Sequence, residues 1–377
     1  MENVSVKAIE IKDTNDLEKL CATWKKLEKG EDMTIFQSFN WNCLLLEEEK
    51  KKRLSNYYTK IVILIIVATD ETVGLLPLII QKHGNKTKWF GRNRGLYILG
   101  HGSWSDYLNV IYSDGFRTEY IKDLFDYLKE NYKGYTFYIT DIREHTKFAD
   151  YLNSSDASPG ESEVAVQVEK MESREEYEKS LSKHTRQNLR TAKNRMDKAE
   201  IKYEVKVLGK IDDDDDLIQK LIEVHVARMA EKNMVTTDLI HKISSYIRIR
   251  YRKKQEHRNN VVAESMKRME ESCLVIVYLN DDIAGYLYGL RDGSVIRIMQ
   301  NCVLDEYKFY SPLFRGAYDF ILDQYSDDNI RVVDFTRGNE QYKYNLGGTE
   351  VILKSYTISN TVKDFPECLQ TAPSSCH

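Results

Sequence analysis

The chain has 377 residues, 42% of them hydrophobic and 30% charged, with a formal net charge of -4. That length exceeds the usual ceiling for one hydrophobic core and predicts two domains. The acidic balance argues against a dedicated nucleic-acid binder while leaving room for local basic patches.

In chain order, VSVKAIEI at 4–11 alternates as a strand does, and residues 16–28 and 39–50 carry helical spacing. Two strand-like runs follow at 61–68 and 73–81, separated by TDET. The first, IVILIIVA, is the most apolar run. It is far short of the roughly 20 residues a membrane helix needs and reads as a buried strand. Strand-like segments at 87–90 and 96–99 precede a helix over about 117–131 and a strand at 135–141. A Ser/Asp/Pro/Gly-rich stretch at 153–162 then marks a loop and a boundary. No charged leader followed by an apolar stretch opens the chain, and none of the six cysteines forms a CxxC pair. A reducing cytoplasm is the expected setting, without a metal site. Cys368 and Cys376 fall in a tail at 361–377 expected to be disordered.

The second half repeats the plan. Residues 274–290 form a second hairpin pattern, with Asp281 four residues before Gly285 as Asp70 stands four before Gly74. Each hairpin is followed by a strand region, a helix (117–131 and 311–324) and a strand ending in Asp (Asp141 and Asp334). This ordered series predicts a duplicated α/β unit, the second copy preceded by helices at about 173–198, 214–232, 237–252 and 256–270.

Five stretches carry candidate chemistry. On the helix at 183–198, Lys183, Arg186, Arg190 and Lys193 form a basic stripe beside an apolar one of Thr185, Leu189, Ala192 and Met196. The basic stripe is a solvated face, the lining of a groove for phosphate or carboxylate, or a contact for duplex nucleic acid. The run DDDDD at 212–216 sits where acids complement a helix N-terminus. In GHGSWSDYLNVI at 100–111, Asp106 either caps a turn or, at a cleft between domains, accepts a proton from an amine. At 310–313, Ser311 is a natural N-cap and Pro312 a natural first helical residue, a start at which backbone N–H groups can hold a pyrophosphate. Finally VDFTRGNEQYKYNLGG at 333–348 packs Arg337, Glu340, Tyr342 and Lys343 into seven residues, before a helix end at Gly347.

The order of hairpin, strand, helix, strand and short final helix resembles the GNAT acyltransferase superfamily. Its members often end in a Phe-Tyr-Glu-Lys-Leu-Gly-like motif whose Tyr protonates the thiolate of coenzyme A. Setting Leu346-Gly347 on that Leu-Gly places Lys343 on the catalytic Tyr, as in the duplicated-GNAT branch. FQSFNW at 36–41, SDYL at 105–108, the basic helix and DFTRGNEQYK at 334–343 resemble the CelD-type acetyltransferases of that branch, with Thr336, Asn339 and Gln341 as departures. The resemblance implies an α/β (α+β) chain of two tandem GNAT-like domains, 1–165 and 166–360, each a mixed, largely antiparallel sheet flanked by helices.

It further implies an N-acyltransferase using acetyl-CoA or another acyl-CoA on a small-molecule amine, such as an amino sugar or nucleotide-sugar in polysaccharide or cell-envelope synthesis. Lys343 would stabilise the oxyanion or protonate the thiolate, and Asp106 would be the base. Arg337, Arg186, Arg190, Glu340, Tyr342 and Tyr107 would bind the acceptor, and Tyr310, Ser311 and Leu313 the coenzyme. Nucleic acid and stable membrane insertion are not expected. The alternatives are a Fem-type aminoacyltransferase using charged tRNA, whose long coiled-coil arm the sequence does not suggest, and a non-catalytic binding module of the same fold.

Overall fold

A computed structural model describes residues 4–53, 59–81, 94–102, 105–240 and 245–360. The expected strand at 87–90 and the tail at 361–377 lie outside the described residues.

The first half runs β1 (Val4–Glu10), α1 (Thr14–Glu18), α2 (Cys21–Leu27), α3 (Phe39–Arg53), β2 (Thr59–Ala68), β3 (Glu71–Gln81), β4 (Arg94–Ile98), β5 (Ile111–Tyr112), α4 (Glu119–Asn131), β6 (Tyr135–Arg143) and α5 (Lys147–Ser154). After β7 (Ser158–Pro159) and β8 (Glu163–Glu169), the second half runs α6 (Arg174–Ser180), α7 (Lys183–Lys198), β9 (Tyr203–Leu208), α8 (Asp215–Ile240), α9 (Ser245–Arg268), β10 (Ser272–Leu279), β11 (Asp282–Asp292), β12 (Val295–Val303), α10 (Pro312–Asp323), β13 (Val332–Arg337), α11 (Gln341–Asn345) and β14 (Thr349–Ser359). The helix expected over 173–198 breaks at Leu181-Ser182, where Ser182 caps α7. The three helices expected across 214–270 are two, because the pattern runs on through 252–256. Asp214, within the acid run, takes the Leu217 N–H at the start of α8, the structural use expected of that run.

The strands make one mixed sheet in the order β1-β2-β3-β4-β6-β14-β8-β13-β12-β11-β10-β9. Read inward from either edge, the plan repeats: an edge strand, a hairpin, a third antiparallel strand, then a parallel partner reached through a helix. The hairpins match in detail. Thr69-Asp70 and Asn280-Asp281 both turn with positive φ, and both hairpins bulge beside the glycine singled out in sequence. At the centre the last strands are exchanged. β14 pairs β6 of the first half, and β8 pairs β13 of the second. Each half therefore completes the other's sheet, and β8 runs across the boundary expected near residue 165.

β2 reads as a continuous apolar run because it is covered on both faces, Ile61 to Ile66 all lying in the first core. On α7 the stripe Thr185, Leu189, Ala192 and Met196 is buried, as its spacing requires. Gly289 of β11 stands where an added Cβ would overlap the Arg297 backbone oxygen on β12. Gly289→Ala should therefore push β12 off its register and cost about 1–3 kcal/mol. Urea unfolding checks this, and an unchanged midpoint would contradict it.

Candidate active site at the junction of the two halves

Parallel pairing of β12 and β13 covers only Val295–Arg297 against Val332–Asp334. Beyond that point β12 continues to Val303 and β13 to Arg337, so the two strands part in a wedge. Both strands bulge there, β12 between its partners Gly289 and Tyr288 and β13 between Asp334 and Arg337. At the apex the Thr336 hydroxyl donates to the Ile298 carbonyl at 2.8 Å.

Below the apex sits Asp334, fully buried. One oxygen accepts from the Tyr107 hydroxyl at 2.9 Å and the Thr336 N–H at 2.8 Å. The other accepts from Arg297 at 2.6 Å and Gln167 at 3.1 Å. Arg297 also donates from Nε to Asp292 at 2.7 Å, and its guanidinium lies 4.9 Å from the centre of the Tyr107 ring. Burial and the adjacent Asp334 hold the Tyr107 pKa well above its ordinary value, so the hydroxyl remains a donor. A carboxylate with four donors is satisfied, and losing it would leave Arg297 with Asp292 alone.

Above the apex, Arg337 crosses from the second half to the first. Its Nε contacts Asp106 and its terminal nitrogen donates to Asp141 at 2.9 Å, with Glu163 at 3.9 Å. Burial raises the Asp141 pKa above its ordinary value; Arg337 opposes the shift and Asp106 adds to it. Lys343 is 1% exposed, and its ammonium donates to the carbonyls of Thr336 (3.3 Å), Arg337 (2.8 Å) and Gly338 (3.0 Å), with the Glu340 carboxylate at 2.9 Å. Three non-glycine residues here have left-handed backbones: Tyr107 at φ 56, Asp141 at φ 61 and Thr336 at φ 49. Each such conformation costs on the order of 1–3 kcal/mol, and their clustering is typical of a functional site.

The expected site residues thus separate. Asp106, Tyr107, Arg337, Glu340 and Lys343 converge, although Asp106 and Lys343 are engaged in ion pairs rather than open. Tyr342 packs edge-on against Phe335 with its hydroxyl buried and unpartnered. Arg186 instead donates to the carbonyls of Glu178 (3.4 Å), Lys179 (3.0 Å) and Leu181 (2.7 Å), closing the end of α6, and Arg190 is exposed on α7. Ser311 does precede Pro312 at the start of α10, but its left-handed backbone (φ 52) leaves it without a side-chain cap bond. Leu313 turns its side chain into the core, so only its backbone faces outward chemistry; Tyr310 packs against the small cluster of Met196, Leu279 and Ala284. Sequence reading missed Arg297 and Gln167 and took Asp334 and Asp141 only as strand ends. The signal for Arg297 was present: a lone Arg in the apolar strand VIRIM.

Residues 183–344 match the family model described as acetyltransferase (GNAT) domain. A conserved protein of unknown function from Bacteroides thetaiotaomicron VPI-5482 superposes with a TM-score of 0.50 at 12% identity, covering 94% of this chain and 100% of its own. The C-terminal domain (DUF2156) of a putative lysylphosphatidylglycerol synthetase from Agrobacterium fabrum gives 0.51 at 5% identity, with 92% of each chain covered. A tandem GNAT protein from the clavulanic acid biosynthesis pathway gives 0.48 at 12% identity, covering 96% and 100%. The comparison with curated proteins gave no match. The match to the acetyltransferase domain model thus lies within the second half, and the chain has the mixed α/β fold expected from its sequence.

Two outcomes follow for this site. Asp334→Ala leaves the buried Arg297 with Asp292 as its one remaining carboxylate partner and should cost about 3–5 kcal/mol in urea unfolding; a loss under 1 kcal/mol would contradict the account. Asp141 has its folded pKa raised, so its contribution favours folding when protonated and is lost as pH rises through the folded value. Asp141→Asn should accordingly gain stability relative to wild type as pH rises above about 4, the ordinary carboxylate value. A pH-independent difference would refute that assignment.

Proposed function

We propose that the chain is an N-acyltransferase that moves an acetyl or related acyl group from coenzyme A to an amine. The observation that carries the reading is the wedge between β12 and β13, lying within the segment that matches the acetyltransferase domain. A thioester arm entering the wedge would meet the backbone of β12, which beyond Arg297 forms no ladder pair with β13 and past the Thr336–Ile298 bond is free of it. The coenzyme's phosphates fit the start of α10, whose first turn holds no acid and whose positive end favours an anion. The backbone at Ser311 and Leu313 would hold them, beside Tyr310.

In this reaction the uncharged amine attacks the thioester carbonyl. The C–N bond forms, the C–S bond breaks, the amine gives up a proton and the thiolate takes one. Oriented donors at the developing oxyanion supply the main stabilisation, and losing one typically costs about 10²–10³ in rate. Arg337 is balanced by Asp106 and Asp141, with Glu163 close by, so the junction has a carboxylate excess. That charge suits an amine acceptor better than an anionic one. Lys343 spends its donors on the 336–338 carbonyls and so sets the course along which Arg337 crosses. In this reading Lys343 and Asp106 shape the site through Arg337 rather than standing open to the acceptor.

One observation favours the tRNA-dependent reading as the second choice. α8 and α9 span 26 and 24 residues, a helix pair longer than the sequence pattern suggested, and the sequence of α9 runs through Arg248, Arg250, Arg252, Lys253 and Lys254. Thermal shift separates the donors: acetyl-CoA should raise Tm and an aminoacyl-tRNA should not. The opposite pattern would transfer the assignment to the Fem-type reaction. By letting the segment that positions Arg337 shift, Lys343→Ala should lower kcat/KM with acetyl-CoA and the right amine about 10²-fold. Activity surviving within about threefold in a folded variant would contradict the role given to Lys343.

A further inference from the structure

The first half contains a counterpart of the wedge, furnished differently. Parallel pairing of β4 with β6 ends at Tyr97 opposite Tyr138, as that of β12 with β13 ends at Arg297 opposite Asp334. Instead of an ion pair, the two tyrosine rings stack, 5.2 Å apart and 13° from parallel. His101 also stacks on Tyr97, at 4.2 Å and 21°. All three are partly exposed. The Tyr97 ring lies back over Gly95, where an added Cβ would overlap it. Directly across the ladder from Tyr138, the neighbouring strand carries Thr357. Further along β6, past a bulge, stands Asp141 with Arg337, Asp106 and Glu163.

We propose that this stack is a subsite for a sugar ring and that the acceptor is an amino sugar within an oligosaccharide; this rests on the acyl-transfer reading above. Flat aromatic faces bind rings that are apolar on one side, and the carboxylate excess beside them attracts a protonated amine. The same charge repels phosphates, which argues against a nucleic acid or a nucleotide as the occupant even though bases also stack on tyrosine. β6 and β13 are separated by β14 and β8, which puts the stack about 14 Å from the wedge across three strand spacings. One ring held on Tyr138 would therefore leave a different ring of the same chain at the thioester.

Calorimetric titration of the full chain with the β-1,4-linked dimer of glucosamine tests this. The dimer should bind more tightly than glucosamine and than the fully N-acetylated dimer. Tyr138→Ala should weaken the dimer at least tenfold, about 1.4 kcal/mol, while Tyr138→Phe, which keeps the ring, stays within about threefold. If the alanine variant does not fold, Tyr138→Leu serves the same comparison. No binding by wild type, equal binding by a folded Tyr138→Ala or Tyr138→Leu variant, or preference for oligothymidylate over the dimer would overturn the proposal. A parallel titration with acetyl-CoA keeps the two readings apart. Dimer binding without acetyl-CoA binding supports the sugar subsite and sinks only the donor assignment; the reverse result sinks only the subsite.

Discussion

The organisation of this protein depends on one buried carboxylate. Asp334 has no exposed surface, so its charge has to be matched inside the protein, and each match ties in a different segment. Arg297 comes from β12, Gln167 from β8, Thr336 from the bulge of its own strand, and Tyr107 from a loop 227 residues away in the first half. With β12 bonded to β13 at this point, the strands can diverge immediately beyond it without loosening. The same residue thus closes the bottom of the wedge and joins the two halves.

The second tie is built with the opposite polarity. Arg337, a cation from the second half, reaches Asp106 and Asp141 of the first. Lys343 stiffens the segment from which it departs, through three backbone carbonyls. Two guanidiniums lie among Asp106, Asp141, Asp292 and Asp334, so the junction is net acidic before any substrate arrives. The exchanged strands β8 and β14 add a mechanical reason for the halves to act together, since neither sheet is complete without a strand from the other. Removing either half would expose two long unpaired edges.

Much of the fold was legible in the sequence because it follows from local rules. The hairpins, the amphipathic α7 and the repeated order of elements all rest on periodicity and turn chemistry within about 20 residues. Strand exchange was not legible, because pairing between β14 and β6 depends on partners more than 200 residues apart that no spacing records. The site was partly legible. Asp106, Tyr107, Arg337 and Lys343 were singled out and do converge, but the sequence said nothing of what already neutralises them. Arg186 shows the reverse error: its place in a basic stripe suggested a ligand, whereas its donors close the end of α6. A charged residue declares its chemistry in sequence, and its partner only in three dimensions.

Hydrogen exchange with and without acetyl-CoA tests most directly the claim that the second-half wedge holds the donor. The account predicts protection confined to the free run of β12 near 298–303, the start of α10 and the 336–338 turn. No protection there, or protection centred on β4 and β6 around Tyr97 and Tyr138, would contradict it.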